Sequence, residues 1–302
     1  QFNNPVEWDS IVEKGGADER VGFKIILGIK NFEMPESHWK WKARGCATGN
    51  WMTDVEGWQA MEDYESLVGK PADMAGARLA IIQAIANGGT AEQADAQSAY
   101  CQAPLKGAPK WLAIPASLRE VFNIPKEMKN PVCRLERALY GLVRAGFDWA
   151  DYSAEKLLGT GWKYCWSGEK NIYEKTFKQG RVILVVYVDD FIAAGPKEAL
   201  NAAWKEIENL FKMDPSEPLS RFLGVHHKIT EGGVSPEGND IRHLYMDQTE
   251  YAKSIVKEFK QAIGMASDKK FRHVTTPMEE SYPNNLEDPN ADGDFKNTCN
   301  KW

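Results

Sequence analysis

The sequence predicts an α+β fold in which an antiparallel sheet is covered by helices on one face. Three observations predict it. The run Val182–Gly195 (VILVVYVDDFIAAG) is apolar except at two adjacent aspartates, the pattern of a hairpin with acids at its bend. Helical stripes flank that run in the chain, one over Phe147–Leu158 and one over Leu200–Phe211. Short strand-like segments bounded by Gly, Pro and Asp recur before and after it.

Taken in order, residues 1–37 show no clear periodicity and are read as an N-terminal extension of unknown role. Trp39–Gly45 (WKWKARG) alternates strictly, so a strand there sets Lys40, Lys42 and Arg44 on one face and Trp39, Trp41 and Ala43 on the other. Asp73–Asn87 reads as a helix with Asp73 as its N-cap and Gly88 just past its end. A short strand carrying Asp95 leads to Tyr100, and another is expected over Trp111–Pro115. Phe147, Ala150, Ala154, Leu157 and Leu158 form one stripe of a helix ended by Gly159. After the Arg181–Ala194 hairpin, Pro196 opens a helix whose Leu200, Ala203, Trp204, Ile207, Leu210 and Phe211 share a face. Strands over Arg221–Ile229 and His243–Asp247, a helix over Thr249–Phe259 and a loosely ordered tail after Met278 complete the reading.

Composition narrows the classes. The 302 residues are 43% hydrophobic and 26% charged, which suits a globular chain with two or three subdomains. Five cysteines, odd in number and without CxxC spacing, indicate neither a disulfide framework nor a zinc site, and a reducing compartment is the expectation. No signal region is evident and no apolar run nears the ~20 residues of a membrane helix, so a soluble intracellular chain with no membrane partner is expected. The net charge of -6 is opposite to that of a dedicated nucleic-acid binder, although a local basic track can still hold a phosphate backbone.

The acids at Asp189 and Asp190 admit two readings. Aspartate forms turns well, and a hairpin tip facing water accounts for the pair. Alternatively, pairing the Asp95 strand with the hairpin brings a third carboxylate beside Asp189, and three clustered anions call for a hard divalent cation such as magnesium or manganese. His226 and His227 are adjacent on a strand and point to opposite faces, so they do not chelate together.

YVDD at Tyr187–Asp190 resembles the YxDD box of reverse transcriptases, and six further stretches in order resemble the polymerase domain of copia-type LTR retrotransposons. They are WKARGCATGN (Trp41–Asn50), ADAQSAYCQAPL (Ala94–Leu105), CRLERALYGLVRAGFDW (Cys133–Trp149), RFLGVHH (Arg221–His227), LYMDQTEYAKSIVKEF (Leu244–Phe259) and VTTPM (Val274–Met278). The resemblance implies a right-hand polymerase, an RNA-directed DNA polymerase that transfers a nucleotide from a dNTP to a primer 3'-hydroxyl using two Mg2+ ions, with Mn2+ as a substitute. It implies fingers and palm over 38–220, the palm being 95–105 and 146–220, a primer grip and thumb or connection over 221–278, and a tail over 279–302.

By the same resemblance Asp95, Asp189 and Asp190 are the catalytic, metal-binding acids, with Asp95 and Asp189 the direct ligands and Asp190 in support. Tyr100 is the gate against a 2'-hydroxyl, its bland alternative being a core aromatic. Lys42 and Arg44 hold the triphosphate, against the alternative of a solvated basic edge strand. Tyr187, Val188, Phe222, Leu223 and Gly224 meet primer and template. Arg144 stands where the family has Gln, near the nucleotide; Ala145 and Gly146 replace its Ala-Pro, and Cys46, Ala47 and Thr48 replace a Val-Ala-Lys. The implied partners are an RNA template, a DNA or RNA primer, dNTPs and other segments of a retrotransposon polyprotein, in a cytoplasmic virus-like particle or the nucleus. The contrary expectation is an inactive module of the same fold that binds nucleic acid or serves as a scaffold.

Overall fold

The structure is a computed structural model and describes residues 4–30, 36–60, 72, 74–166 and 170–269. The Asp73 cap, the VTTPM stretch and the tail lie outside the described residues. The chain divides into two compact units, 1–220 with 228–244, and 221–227 with 245–302.

In the first unit, β1 (Val6–Glu7), α1 (Trp8–Val12), β2 (Glu19–Lys30), β3 (Lys40–Thr53) and β4 (Gln59–Ala60) precede α2 (Met74–Ala86), β5 (Thr90–Asp95), β6 (Lys110–Ala113) and β7 (Pro131–Leu135). Then come α3 (Ala145–Gly159), β8 (Lys163–Tyr164), β9 (Ile172–Phe177), β10 (Gly180–Tyr187), β11 (Asp190–Gly195), α4 (Lys197–Leu210) and β12 (Glu217–Pro218). Among the described residues these strands build two sheets of six, ordered β1-β7-β6-β2-β3-β4 and β12-β5-β11-β10-β9-β8. The second sheet is antiparallel throughout. The first contains one parallel pair, β2 with β6. Residues 6–30, for which the sequence suggested no element, thus supply two strands to the first sheet and form the helix α1 between them.

The second sheet positions the acids, and helices cover both of its faces, not the single face expected. Tyr173, Leu184 and Ala193 are cross-strand partners, and they share a buried cluster with Leu200, Trp204 and Ile207 of α4. Their chain neighbours Ile172, Val185 and Ile192 are partners on the opposite face, where a Cβ placed on Gly76 of α2 would lie 2.3 Å from the Ile172 Cδ1. Val182 to Val186 are consequently all buried, as a strand covered on both sides must be. Each such side chain contributes about 1.5–3 kcal/mol when fully buried.

The inward face of α3 is also rotated from the expected stripe. Ala145, Asp148, Trp149, Ser153 and Leu157 are buried, whereas Leu158 is exposed and Phe147, Ala150 and Ala154 are half-buried. Polar Asp148 takes an inward position because Arg144 pairs with it one turn earlier, and Ser153 because its hydroxyl donates to the Ala150 carbonyl. The α4 face follows the expected spacing, with Leu200, Ala203, Trp204 and Ile207 buried behind Pro196 at the N-cap.

In the second unit, β13 (Arg221–Phe222) pairs with the start of β14 (Val225–Val234), Phe222 opposite Val225. The expected continuous strand over Arg221–Ile229 is therefore interrupted. Leu223 and Gly224, with φ of +47° and +78°, form a two-residue turn of the kind that has positive φ at both positions. His226 is exposed and His227 buried, as opposite-facing neighbours should be. The rest of β14 and β15 (Asp240–Asp247) as far as Leu244 belong to the first unit, and β15 leads to α5 (Thr249–Ala262) of the second, which has no buried residue.

Candidate active site

The β10–β11 hairpin turns on two residues, Val188 and Asp189, between the paired Tyr187 and Asp190. Of the two turn residues only Val188 has positive φ, +58°. That is the sign pattern of a type II′ turn, which takes glycine at this position most easily. A β-branched residue there is strained by about 1–3 kcal/mol and persists only if the surroundings hold it. They do: the Trp149 Nε1 donates to the Val188 carbonyl oxygen at 2.6 Å, and the Ala96 N–H donates to the Asp189 carbonyl oxygen at 2.7 Å.

The β5–β11 register places Asp95 directly opposite Asp190, with Asp189 one residue along in the turn. Asp95 was expected beside Asp189; strand pairing sets it against Asp190 instead. By the two-residue period, Asp95, Asp190 and Tyr187 share one face of the sheet. The Asp190 carboxyl is pushed up to about 6 by burial first, then by the charges of Asp95 and Asp189 and a hydrogen bond with Asp95.

A divalent cation relieves crowding of this kind, and an all-oxygen donor set suits magnesium or manganese. Among the described residues no group of three or more His, Cys, Asp or Glu side chains is arranged to hold a metal. Mg2+ does not require one, since it is commonly held by one or two carboxylates together with water and substrate phosphates. The paired Asp95 and Asp190, with Asp189 adjoining, fit that requirement.

Two aromatic rings stand beside the acids. Tyr100, in a 3-10 turn over Ala99–Gln102, lies with its ring centroid 4.8 Å from that of Tyr140. Burial raises both phenols, and the charge of Asp189 raises them further, while Arg44 works the other way on Tyr140. Tyr140 is thus within electrostatic reach of Tyr100, Asp189 and Arg44, and Tyr100 of Asp189. Tyr140 did not emerge from the sequence as a site residue; its signal was the LYGL block, whose backbone docks on β3. The Ala47 N–H donates to the Tyr140 carbonyl at 2.7 Å and the Gly49 N–H to the Gly141 carbonyl at 3.1 Å. Gly141 has φ +89°, and a Cβ there would sit 2.0 Å from the Ala47 oxygen, so only glycine allows the approach.

The other expected residues divide. Lys42 and Arg44 are exposed on the outer part of β3, paired with Gly28 and Ile26 of β2, and cross-strand neighbours share a face. Arg144, expected near the nucleotide, is turned to Asp148: its Nε donates to both carboxylate oxygens at 3.1 and 3.0 Å and its Nη2 to one at 2.9 Å. Asp148 is fully buried and also accepts the Lys106 N–H, so Arg144 neutralises an interior charge. In the second unit Phe222 is buried while Leu223 and Gly224 form the hairpin turn.

A family model described as reverse transcriptase (RNA-dependent DNA polymerase) matches residues 10–278. A retrovirus-related Pol polyprotein from transposon TNT 1-94 of Nicotiana tabacum is 24% identical over 279 residues, 90% of this chain and 17% of that polyprotein. A protein of Saccharomyces cerevisiae provisionally ascribed to transposon Ty5-1 is 28% identical over 112 residues, 35% of this chain and 36% of that protein. The chain therefore spans about a sixth of the first relative and about a third of the second.

Proposed function

The chain belongs to the reverse transcriptase (RNA-dependent DNA polymerase) family, and on that premise we propose that it extends a primer on an RNA template within a retrotransposon polyprotein. The observation that carries this reading is the register that sets Asp190 against Asp95 with Asp189 in the adjoining turn. In the reaction the primer 3'-hydroxyl attacks the α-phosphate of a dNTP, the new P–O bond forms, and pyrophosphate leaves. Asp95 and Asp190, with Asp189 adjoining, would hold Mg2+ or Mn2+, and the two ions of such a site would supply Lewis-acid activation of the hydroxyl and neutralise charge on the departing phosphates.

Each side chain then has a task. Asp95, Asp189 and Asp190 present ionised oxygens. Arg44, with Lys42 two residues away on the same strand face, offers cationic donors to the triphosphate. Tyr100, backed by Tyr140, forms a wall at the sugar where an extra 2'-oxygen meets a ring. Tyr187 and Val188 border the primer end, and the Phe222–Gly224 hairpin serves as the primer grip. Arg144 is assigned the support of Asp148 in place of the nucleotide. Such catalysis is mostly positioning and charge stabilisation, so these placements are what the reaction needs.

The test is primer extension on poly(rA)/oligo(dT) with dTTP and Mg2+. The wild type is expected to incorporate dTTP and Asp189→Asn to lose about 10³-fold or more, because one metal-holding charge is gone. Full incorporation by the variant rejects the assigned acids. Retained template binding with no incorporation by the wild type identifies the inactive binding module instead.

A further inference from the structure

We propose that Trp149 is a positioning residue for the acids, acting through the carbonyl of Val188. The inference rests on the assignment of Asp95 and Asp190, with Asp189 adjoining, as the cation-holding acids and adds a residue that neither strand pairing nor the acids themselves require. Trp149 lies on α3, is fully buried, and sends its indole N–H to the Val188 oxygen at 2.6 Å, 39 residues along the chain. Among the described non-glycine residues with positive φ, Val188, at +58°, is the one that is β-branched. Left to its own preferences that residue would move to negative φ, and the peptide that aims Asp189 would rotate with it.

The indole is itself immobilised. Its ring packs edge-on against Phe191 at 6.5 Å and Phe211 at 5.5 Å between centroids, and tilted against Tyr152 at 6.2 Å. Phe191 follows Asp190 on β11, so one cluster grips the strand on one side of the turn and the carbonyl within it. The Ala96 N–H on the Asp189 oxygen is the complementary tether, from the strand that carries Asp95. A buried donor aimed at a strained carbonyl loses its only evident reason if packing is all that Trp149 supplies, since an apolar ring would fill the space without a group to satisfy.

The experiment replaces Trp149 with β-(3-benzothienyl)alanine, which keeps the bicyclic shape and removes the N–H, and separately makes Trp149→Phe. Mn2+ affinity of the protein alone is read by electron paramagnetic resonance, alongside melting temperature and, on poly(rA)/oligo(dT), kcat and KM for dTTP. With the benzothienyl side chain the melting temperature is expected to hold, the Mn2+ Kd to rise by about fivefold or more, and kcat to fall about tenfold with KM for dTTP unchanged. Trp149→Phe is expected to show the same Mn2+ and kcat losses together with a lowered melting temperature.

Mn2+ affinity of the benzothienyl protein within about twofold of wild type overturns the inference whatever kcat does. So does a wild type that binds no Mn2+. A wild type that binds Mn2+ but incorporates no dTTP defeats the polymerase reading alone, and the shift in Mn2+ affinity still decides the role of Trp149.

Discussion

The hairpin that carries the acids and the ribbon that carries Lys42 and Arg44 have the same plan, two antiparallel strands, and opposite surroundings. In β10 every residue from Val182 to Val186 is buried, between α4 on one face and α2 on the other. In the outer part of β2–β3 both faces are open: Trp41 is 76% and Leu27 69% exposed, beside exposed Ile25 and Ile26. Identical ladders therefore differ in what holds them. The hairpin is fixed by packing and so can keep Val188 strained and Asp190 crowded against Asp95. The ribbon has its backbone pairing and little else, which suits a surface that meets a charged ligand from solvent.

The comparison breaks most visibly under large-to-small substitution. Leu184→Ala is expected to lower unfolding free energy by about 2–5 kcal/mol, since its neighbours on the α4 face leave a cavity. Leu27→Ala, the same chemistry on the ribbon, should stay within about 0.5 kcal/mol. Urea titration of both variants checks it, and equal losses would mean the ribbon is packed in solution. Gly141→Ala comes next, at about 1–3 kcal/mol, because the new Cβ meets the Ala47 carbonyl at a backbone angle that favours glycine. Amide exchange should then quicken first over residues 46–49, where the LYGL loop bonds to β3.

How much of this was legible follows from the same contrast. The acid hairpin, the α4 face and the strand bearing Asp95 could be read because burial imposes a strict pattern on them. The cover on both sheet faces was written in Val182–Val186 as well, for a strand with one wet face alternates and this one does not. β2 was missed because its outer half is exposed on both faces, so ERVGFKIILGIK carries no burial period to detect. The α3 stripe was misplaced because Asp148 and Ser153 look like solvent residues until Arg144 and the Ala150 carbonyl are seen to satisfy them. The turn at Leu223 and Gly224 was legible, since FLG reads as core plus turn, but nothing in a leucine announces its positive φ. Within the site, Tyr140 and Trp149 act through contacts 40 and 39 residues away in sequence, with Tyr100 and Val188, which spacing does not encode.

The crowded acids sharpen the comparison through pH. Asp190 holds its proton up to about pH 6 in the folded chain, against an ordinary value of 3.8. Its contribution to stability is thus fully present below about 3.8 and is lost as pH rises through about 6, where the folded state must carry the ionised group. Without divalent cations, Asp190→Asn should melt higher than wild type at pH 8 and level with it at pH 3.5. Adding Mg2+ at pH 8 should narrow the gap by stabilising the wild type more than the variant, which keeps Asp95 and Asp189. A variant that melts lower at pH 8 would show that ionised Asp190 is not disfavoured by its burial and by the charges of Asp95 and Asp189.

The smallest effects on stability are expected on the ribbon, where the functional effect should still be plain. Lys42→Ala and Arg44→Ala remove exposed cations, so each should leave the melting temperature unchanged. Arg44 is the one whose charge reaches Tyr140, beside Asp189 and Tyr100, while Lys42 lies a further two residues out along β3. If the ribbon clamps a triphosphate, Arg44→Ala should raise KM for dTTP by about tenfold and Lys42→Ala by less, both effects shrinking as salt is added. A kcat loss without a change in KM would place Arg44 with the rigid hairpin in function although it stands on the open ribbon, and the division of labour between the two regions would fail at that residue.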